Sequence, residues 1–370
     1  MPSTATSTLL SAGPVLFAPD LSSEGAAVLF AADVARAAVL AFELPAEAPA
    51  TGPSEVNVDQ LGSKVAALLG VEKTDAIIRG MTVHPGSHAV YLSIARGRGP
   101  EAGPAIVRVG TDGDLTVVDV DDVPVTSFQL DDAPSADDDR MDFLLDGNDP
   151  TSQPREINGV TLNIAQVPLA RSTITGLAWV DGTLFVAGLS NEEFSSRLRQ
   201  IPYPFGGAAT ETSVEIFHVD HGKYETQSPI RALTSFDGGS SILASYTCTP
   251  VVQFAVDELR GDGLVRGRTV AELGPMNQPF SLVSYERDGE EFLLVSNTRH
   301  PLLKIPASSI AGQASLTVPM SEPDSSLGVP RENLDQPGIT WMANLDRNTI
   351  VAVQVDAGDT HLRTLKAVDL

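Results

Sequence analysis

Cys248 and His300 are the residues of this 370-residue chain whose types and placement come nearest to nucleophilic chemistry. The run Ser245-Tyr246-Thr247-Cys248-Thr249-Pro250-Val251-Val252-Gln253-Phe254 aligns without a gap on Ser296-Asn297-Thr298-Arg299-His300-Pro301-Leu302-Leu303-Lys304-Ile305, so the thiol and the imidazole stand at neighbouring positions of one repeated phrase. An imidazole beside a thiol lowers its pKa and makes a nucleophile or half of a metal site. The ordinary alternative is a cysteine that acts as a small buried apolar residue in a β run. Anion recognition is the second chemistry on offer. Arg36, Arg96, Arg98 and Arg299 fall at related turns, with Asn191, Glu192, Glu193, Asn297 and Asp356 at the others. Guanidinium forks grip carboxylate and phosphate bidentately, with a charge that does not titrate away. Pairing of each arginine with a neighbouring acid is the competing reading.

Other groups read as structural. Glu193 and Arg197 have the i, i+4 spacing of an ion pair on a short helix. His218 and His221 flank Asp220 at a hairpin turn, Asp220-His221-Gly222-Lys223, where His221 reads as a solvated tip. His84 and His88 bracket the turn Pro85-Gly86. No catalytic role is assigned to these four. The chain has no GxSxG elbow, HExxH, Walker loop or dinucleotide fingerprint. Its single cysteine excludes a disulfide framework within the chain and any multi-thiolate zinc site.

The elements that must position these residues repeat. Each unit opens with a Pro- or Gly-marked segment, turns, and enters an apolar β run, most clearly in Asp181-Gly182-Thr183-Leu184-Phe185-Val186-Ala187. Related runs begin at Val28, Ala89, Ser241, Glu291 and Thr349, and related openings at Gly13, Arg79, Thr175, Pro229, Pro279 and Pro337. Gly there permits close backbone approach, and Pro at the first residue of a strand costs no ladder bond. Six such units, spaced by roughly 50 to 60 residues, predict an all-β chain: a single-domain, six-bladed β-propeller over residues 1–370 with four-stranded blades. The last unit shows three strands, so Ser7-Thr8-Leu9-Leu10 is expected to supply the fourth and close the ring. Asp59 to Gly70 predicts a short amphipathic helix with Leu61, Val65, Leu68 and Leu69 on one side. The Asp-rich segment 119–154 lacks the ligand spacing of a calcium loop and reads as a long exposed insertion.

The repeated Asp-Gly and apolar-strand phrase resembles the six-bladed propellers of the gluconolactonase-like and NHL-like kind, over most of the chain. In the gluconolactonase-like enzymes the resemblance implies an axial divalent metal held in part by a first-blade Glu. In Ser11-Ala12-Gly13-Pro14 that position holds Ala12, so the metal-dependent lactonase chemistry does not carry over through this phrase. In any propeller, the loops between second and third strands gather at one mouth, and small molecules favour such concavities.

Composition sets the remaining bounds. A chain with 42% hydrophobic residues and 19% charged residues can bury a core. The balance of 48 acidic against 24 basic residues, net −24, repels nucleic acid and anionic lipid surfaces. No stretch approaches the ~20 apolar residues of a membrane span, and residues Met1 to Leu16 carry no leader signature. The expectation is a soluble, cytoplasmic propeller that binds a small anionic ligand or a partner's carboxylate at the arginine-bearing mouth. A hydrolase or lyase using a divalent metal ion or the Cys248 and His300 pair is the alternative, and a passive scaffold with a protein partner the third.

Overall fold

The computed structural model describes residues 9–21, 26–52, 55–135, 137–157, 160–248, 250–261, 263–274, 276–319 and 327–370. The chain is all-β, with seven sheets and two short helices, Leu61–Leu69 and Ala307–Gly312, among the described residues. It divides into two compact units. One comprises residues 1–131, 148–150 and 338–370, the other residues 132–147 and 151–337. No helix among the described residues is long and apolar enough to cross a membrane.

The first unit holds three sheets. Val15–Phe17, Ala27–Asp33 and Ala38–Leu44 run as an antiparallel meander, with Val125–Gln129 as the fourth strand. Ala76–Val83, Val90–Arg96, Gly103–Val109 and Leu115–Val118 form the second meander, and Ile339–Asp346, Thr349–Asp356 and Asp359–Lys366 the third. The period of two along a strand sends alternate side chains to opposite faces. Tyr91 and Ile106 accordingly join Leu29, Ala31, Leu40 and Phe42 in one core cluster. Val90, Leu92, Ile94 and Val107 join Val351, Val353 and Leu362 in another, completed by Leu61 and Val65 of the first helix. The middle sheet is thus covered on both faces by its neighbours. Leu68, expected on the buried side of that helix, is exposed.

The second unit repeats this stacking. Gly176–Val180, Thr183–Leu189, Ser196–Pro202 and Thr210–His218 form a meander, extended by Lys223–Glu225 and, in parallel, by Leu264–Arg266. Ile230–Phe236, Ser241–Tyr246, Pro250–Ala255 and Arg268–Glu272 form the next, and Pro279–Arg287, Glu290–Asn297 and Leu303–Pro306 the third. Ile242, Ala244 and Tyr246 pack toward Phe185 and Leu198, whereas Leu243 and Val251 pack toward Leu293 and Val295. Burial on both faces explains why the second strand of each unit reads as a continuous apolar run rather than an alternating one. Ala27–Asp33 and Ser241–Tyr246 are buried along their whole length. All six predicted units are present as antiparallel meanders, which fit the blades of a propeller. The opening glycines permit close contact as expected. A Cβ on Gly13 would lie 2.6 Å from Ala32 O, and one on Gly80 would lie 3.0 Å from Gly13 O.

Three expectations are corrected. Of the predicted closing strand, Ser7 and Thr8 lie outside the described residues, and Leu9 and Leu10 form no strand; the Leu10 amide donates to Asp33 Oδ2 instead (2.8 Å). The outer edge of the last meander is met by Val58, which exchanges two backbone hydrogen bonds with Leu362. The acidic segment 119–154 is not a long exposed loop. It supplies Val125–Gln129 to the first sheet, and its strands Met141–Leu144 and Gln153–Ile157 pair with Val160–Pro168 in a seventh sheet. Glu193 and Arg197 share no helix, because Arg197 sits in the strand Ser196–Pro202 and meets Asp132 at 3.2 Å and Glu192 at 3.9 Å.

Ion pairing explains how so acidic a segment folds inward. The Arg199 side chain is fully buried, and its Nε donates to both oxygens of Asp132 at 2.8 and 3.0 Å. Its remaining nitrogens donate to Thr173 O and Leu189 O. Arg231 likewise holds Asp142 at 2.8 and 2.9 Å, with both side chains buried. Removing one member of a buried pair strands the other charge. Asp132→Asn is therefore expected to cost about 3–5 kcal/mol of stability, measured by denaturant unfolding; a loss too small to resolve would show that the pair does not anchor the segment.

In the first unit, Glu47 accepts hydrogen bonds from Arg108 Nη2 (2.7 Å), Arg108 Nε and the Tyr91 hydroxyl. Burial opposes ionisation of this carboxyl, but the bonds from Arg108, Tyr91 and Ser87 outweigh it and hold the carboxyl down from 4.5 to about 2. A depressed carboxylate contributes stability that is complete above the unfolded-state value and is lost as pH falls through the folded one. Melting temperature should thus fall between pH 4.5 and 2 in the native protein, and Glu47→Gln should flatten that part of the profile. An unchanged acid limb would remove Glu47 from the account.

Candidate metal centre

In the second unit, the strand Thr210–His218 ends at His218, and the chain reverses through Val219 to Gly222 into Lys223–Glu225. Gly222 has φ +64°, and its amide closes the turn on His218 O at 2.9 Å. That reversal brings the His218 and His221 rings together, centroids 4.0 Å apart and planes inclined by 44°. Their Nδ1 atoms both meet Glu225, His218 on Oε2 at 2.9 Å and His221 on Oε1 at 2.6 Å. Ser228 Oγ donates to the same carboxylate (2.6 Å), and Lys223 Nζ lies 3.5 Å away. Burial works against the Glu225 charge, but the bonds from His218, His221 and Ser228 hold its carboxyl far below the usual range. The bond to Glu225 also raises His221.

A carboxylate bound to Nδ1 fixes the tautomer that leaves Nε2 with its lone pair free, the arrangement found behind metal-binding histidines. His218 is buried, and its Nε2 has no hydrogen-bond partner among the described residues. Cys248 completes the group: a ligand atom from each of His218, His221 and Cys248 lies within 4.8 Å of the other two. A tetrahedral ion with bonds of about 2.0–2.3 Å holds its ligand atoms roughly 3.5 Å apart, so small side-chain rotations would close this trio on one. Asp220 Oδ2 stands 3.9 Å from His221 Nε2, beside the same opening.

Cys248 occupies the turn between Ser241–Tyr246 and Pro250–Ala255 with φ +63°, a left-handed conformation unusual for a residue with a Cβ. Its amide donates to Asn277 O at 2.6 Å. Burial pushes the thiol up to about 11, against a hydrogen bond from the Met276 backbone and with the carboxylates of Asp220, Glu272 and Glu225 adding to the rise. Such a thiol is a poor nucleophile at neutral pH and a good partner for a cation that would draw off its proton.

The sequence-selected residues are distributed differently from the expectation. The thiol is grouped with His218 and His221, two of the four histidines set aside, and His300 is not in that group. His300 and Arg299 instead donate their amides to Asn297 Oδ1 (2.7 and 3.1 Å), so the buried Asn297 caps its own turn. Asn191, Glu192 and Glu193 are exposed, and the carbonyls of Asn191 and Glu192 receive Arg140. In the first unit, Arg36 lies 3.5 Å from the buried Asp33, and Arg98 pairs with Asp75 at 3.2 Å. Arg96 is exposed over Gly103, and Asp356 is exposed at the end of its strand. A cleft of about 830 Å3 in the first unit is lined by Pro45, Glu47, Tyr91 and Arg108. These polar groups are spent on one another, so the cleft offers less chemistry than the histidine and cysteine group. The signal missed in the sequence was His-x-x-His with an acid inside and another four residues on, His218-Val219-Asp220-His221 and Glu225.

No family model matches the chain, and no curated protein is similar to it. Among solved structures it is similar to the extracellular domain of a hybrid two component system from B. thetaiotaomicron, at 11% identity and a TM-score of 0.32, covering 91% of this chain and 31% of that one. The chain thus spans about a third of that structure's length. It is also similar to a chain of the COPII outer coat vertex on membranes, at 7% identity and a TM-score of 0.37, covering 97% of this chain and 85% of that one. The PQQ-bound Aldose Sugar Dehydrogenase of Streptomyces coelicolor gives 11% identity and a TM-score of 0.34 over 99% of each chain. Likeness at this level carries no functional argument.

The state of the thiol provides a direct check. Metal-free protein should react with a disulfide reagent at pH 8 at least about tenfold more slowly than a free cysteine, and the rate should climb toward pH 11. Rapid modification at pH 7 would instead mark Cys248 as an activated nucleophile.

Proposed function

We propose that the second unit binds a transition-metal ion of the zinc class through His218, His221 and Cys248, and that this centre is the functional site of the protein. The observation that carries the reading is that a ligand atom from each of His218, His221 and Cys248 lies within 4.8 Å of the other two, with the carboxylate of Glu225 shared between both Nδ1 atoms behind them. Two imidazoles with one thiolate form a borderline-soft set suited to zinc, cobalt or copper rather than calcium or magnesium. The thiolate, Glu225 and Asp220 supply the negative charge that makes burial of a dication tolerable. An ion with three protein ligands keeps a fourth position at which water is acidified or a carbonyl polarised, the chemistry of metal-assisted hydrolysis or addition. In the same reading, the six stacked meanders are the blades of a propeller, with the sheet built from 141–144, 153–157 and 160–168 as an insertion.

The arginine-lined anion site draws less support, because Arg36 and Arg98 already face Asp33 and Asp75. The scaffold reading loses its exposed acidic arm, since Asp132 and Asp142 are buried against arginines.

The test is metal loading of the untagged protein with zinc or cobalt(II), beside His218→Ala, His221→Ala and Cys248→Ser. One ion per chain is expected in the native protein, with a cobalt–thiolate charge-transfer band in the near ultraviolet that Cys248→Ser abolishes. Glu225→Gln should weaken binding by about 10–100-fold through the histidines it orients. A native protein that retains no stoichiometric ion, or whose affinity is unmoved by the three ligand substitutions, would overturn the assignment.

A further inference from the structure

The cleft of about 830 Å3 in the first unit is lined by residues of the segment 44–52 and by strands of the second meander. Strand register sets a row of three polar side chains along it. Tyr91 is the cross-strand partner of Arg108, and Arg108 of Thr116, so the three stand side by side on one face of the sheet. Glu47, on the segment, meets this row through Arg108 and Tyr91. The segment is pinned a second time by the Ala50 amide, which donates to Gly86 O at 2.9 Å. The turn that receives Ala50 is itself braced, because the Gly86 and Ser87 amides donate to Nδ1 of the buried His84 at 3.2 and 3.1 Å. A preformed concavity of this size suits a small molecule.

Pairing among these groups makes the cleft a poor centre for reaction, but it does not exhaust Arg108. Nε and Nη2 donate to the two oxygens of Glu47, which thereby occupies one edge of the guanidinium. Nη1 has no acceptor among the described residues, and the Arg108 side chain is 31% exposed. A guanidinium is a planar fork of five N–H donors, and the edge formed by Nη1 and Nη2 presents two of them in parallel. Glu47 is full by contrast, since it accepts from Arg108, Tyr91 and Ser87 and keeps its charge down to about pH 2. Glu55, the other acid of the lining, pairs with Lys366, so both acids are compensated. Thr111 and Thr116 add hydroxyls to the lining, and Pro45, Pro49 and the half-exposed Val117 add apolar surface.

We propose that this cleft binds a small monocarboxylate with an apolar body, its carboxylate on the Nη1 and Nη2 edge of Arg108 beside Thr116 and its body against Pro45, Pro49 and Val117. A planar carboxylate matches two parallel N–H groups, and a fork already anchored on its other edge loses little freedom on binding. A single charge suits the place. A phosphate dianion would bring a second charge next to Glu47 with no cation left to meet it, and a neutral amide offers one acceptor oxygen to two donors. The site is separate from the metal centre, whose residues belong to the other compact unit.

Saturation-transfer NMR with benzoate, benzamide and phenyl phosphate as probes tests the site in the native protein, Arg108→Lys and Val117→Glu. Benzoate is expected to bind the native protein saturably, with benzamide and phenyl phosphate at least about tenfold weaker. Arg108→Lys keeps the charge facing Glu47 but loses the fork, and should weaken benzoate at least about tenfold. Val117→Glu should do the same by like-charge repulsion, and because Val117 is half exposed its melting temperature should stay near native, which keeps the test available if Arg108→Lys does not fold. Benzoate binding that is absent from the native protein, or unchanged in either folded variant, would overturn the proposal, as would equal or tighter binding of benzamide or phenyl phosphate. A carboxylate can also ligate an ion, so each titration is run with and without added zinc. Benzoate binding that appears only with zinc would place the ligand at the metal centre and overturn the cleft assignment.

Discussion

Within each unit, the second strand of the middle meander is covered on both faces by its neighbouring sheets, and the rest of the structure follows from that constraint. A strand such as Ser241–Tyr246 has no solvent-facing side on which to place polar residues, so its loops must carry the chemistry. Cys248 sits two residues after that strand, and His218 at the end of another in the same unit. The cores fix where these strand ends lie. The short turns then need only a left-handed residue or a glycine to aim the side chains.

Electrostatics does the remaining work, and it works by pairing distant residues. Asp132 and Asp142 would be costly inside a protein without Arg199 and Arg231, which satisfy them across 67 and 89 residues of sequence. Glu225 plays the same part at short range, holding two imidazoles in one orientation. These are satisfied charges. Glu272 and His218 Nε2 stand out against them because neither meets a hydrogen-bond partner among the described residues.

The strands were legible because a doubly buried strand leaves an apolar run bounded by turn residues, and all six runs fall on observed strands. The helix at Leu61–Leu69 was legible from its spacing for the same reason. The acidic segment was misread because its composition resembles a solvated loop, while the arginines that neutralise it lie on strands far along the chain. The site was half legible. Cys248 was singled out from its repeat position, but the repeat aligned it with His300, whereas the hairpin that brings His218 and His221 to it departs from the repeat. Periodicity locates strands; it does not report which hairpin tip folds toward which turn.

The short contact between Val58 and Leu362 has a consequence for the protein in concentrated solution. Among the described residues no fourth strand lies beyond Asp359–Lys366, and an outer edge of this kind offers a row of unpaired amides and carbonyls to any extended chain that meets it. Val58 takes up both backbone groups of Leu362, while the Thr364 side chain and amide are engaged by Val56 and Asn57. The connecting segment before the first helix therefore acts as a guard against edge-to-edge polymerisation, using two residues' worth of hydrogen bonds where a full strand would otherwise be needed.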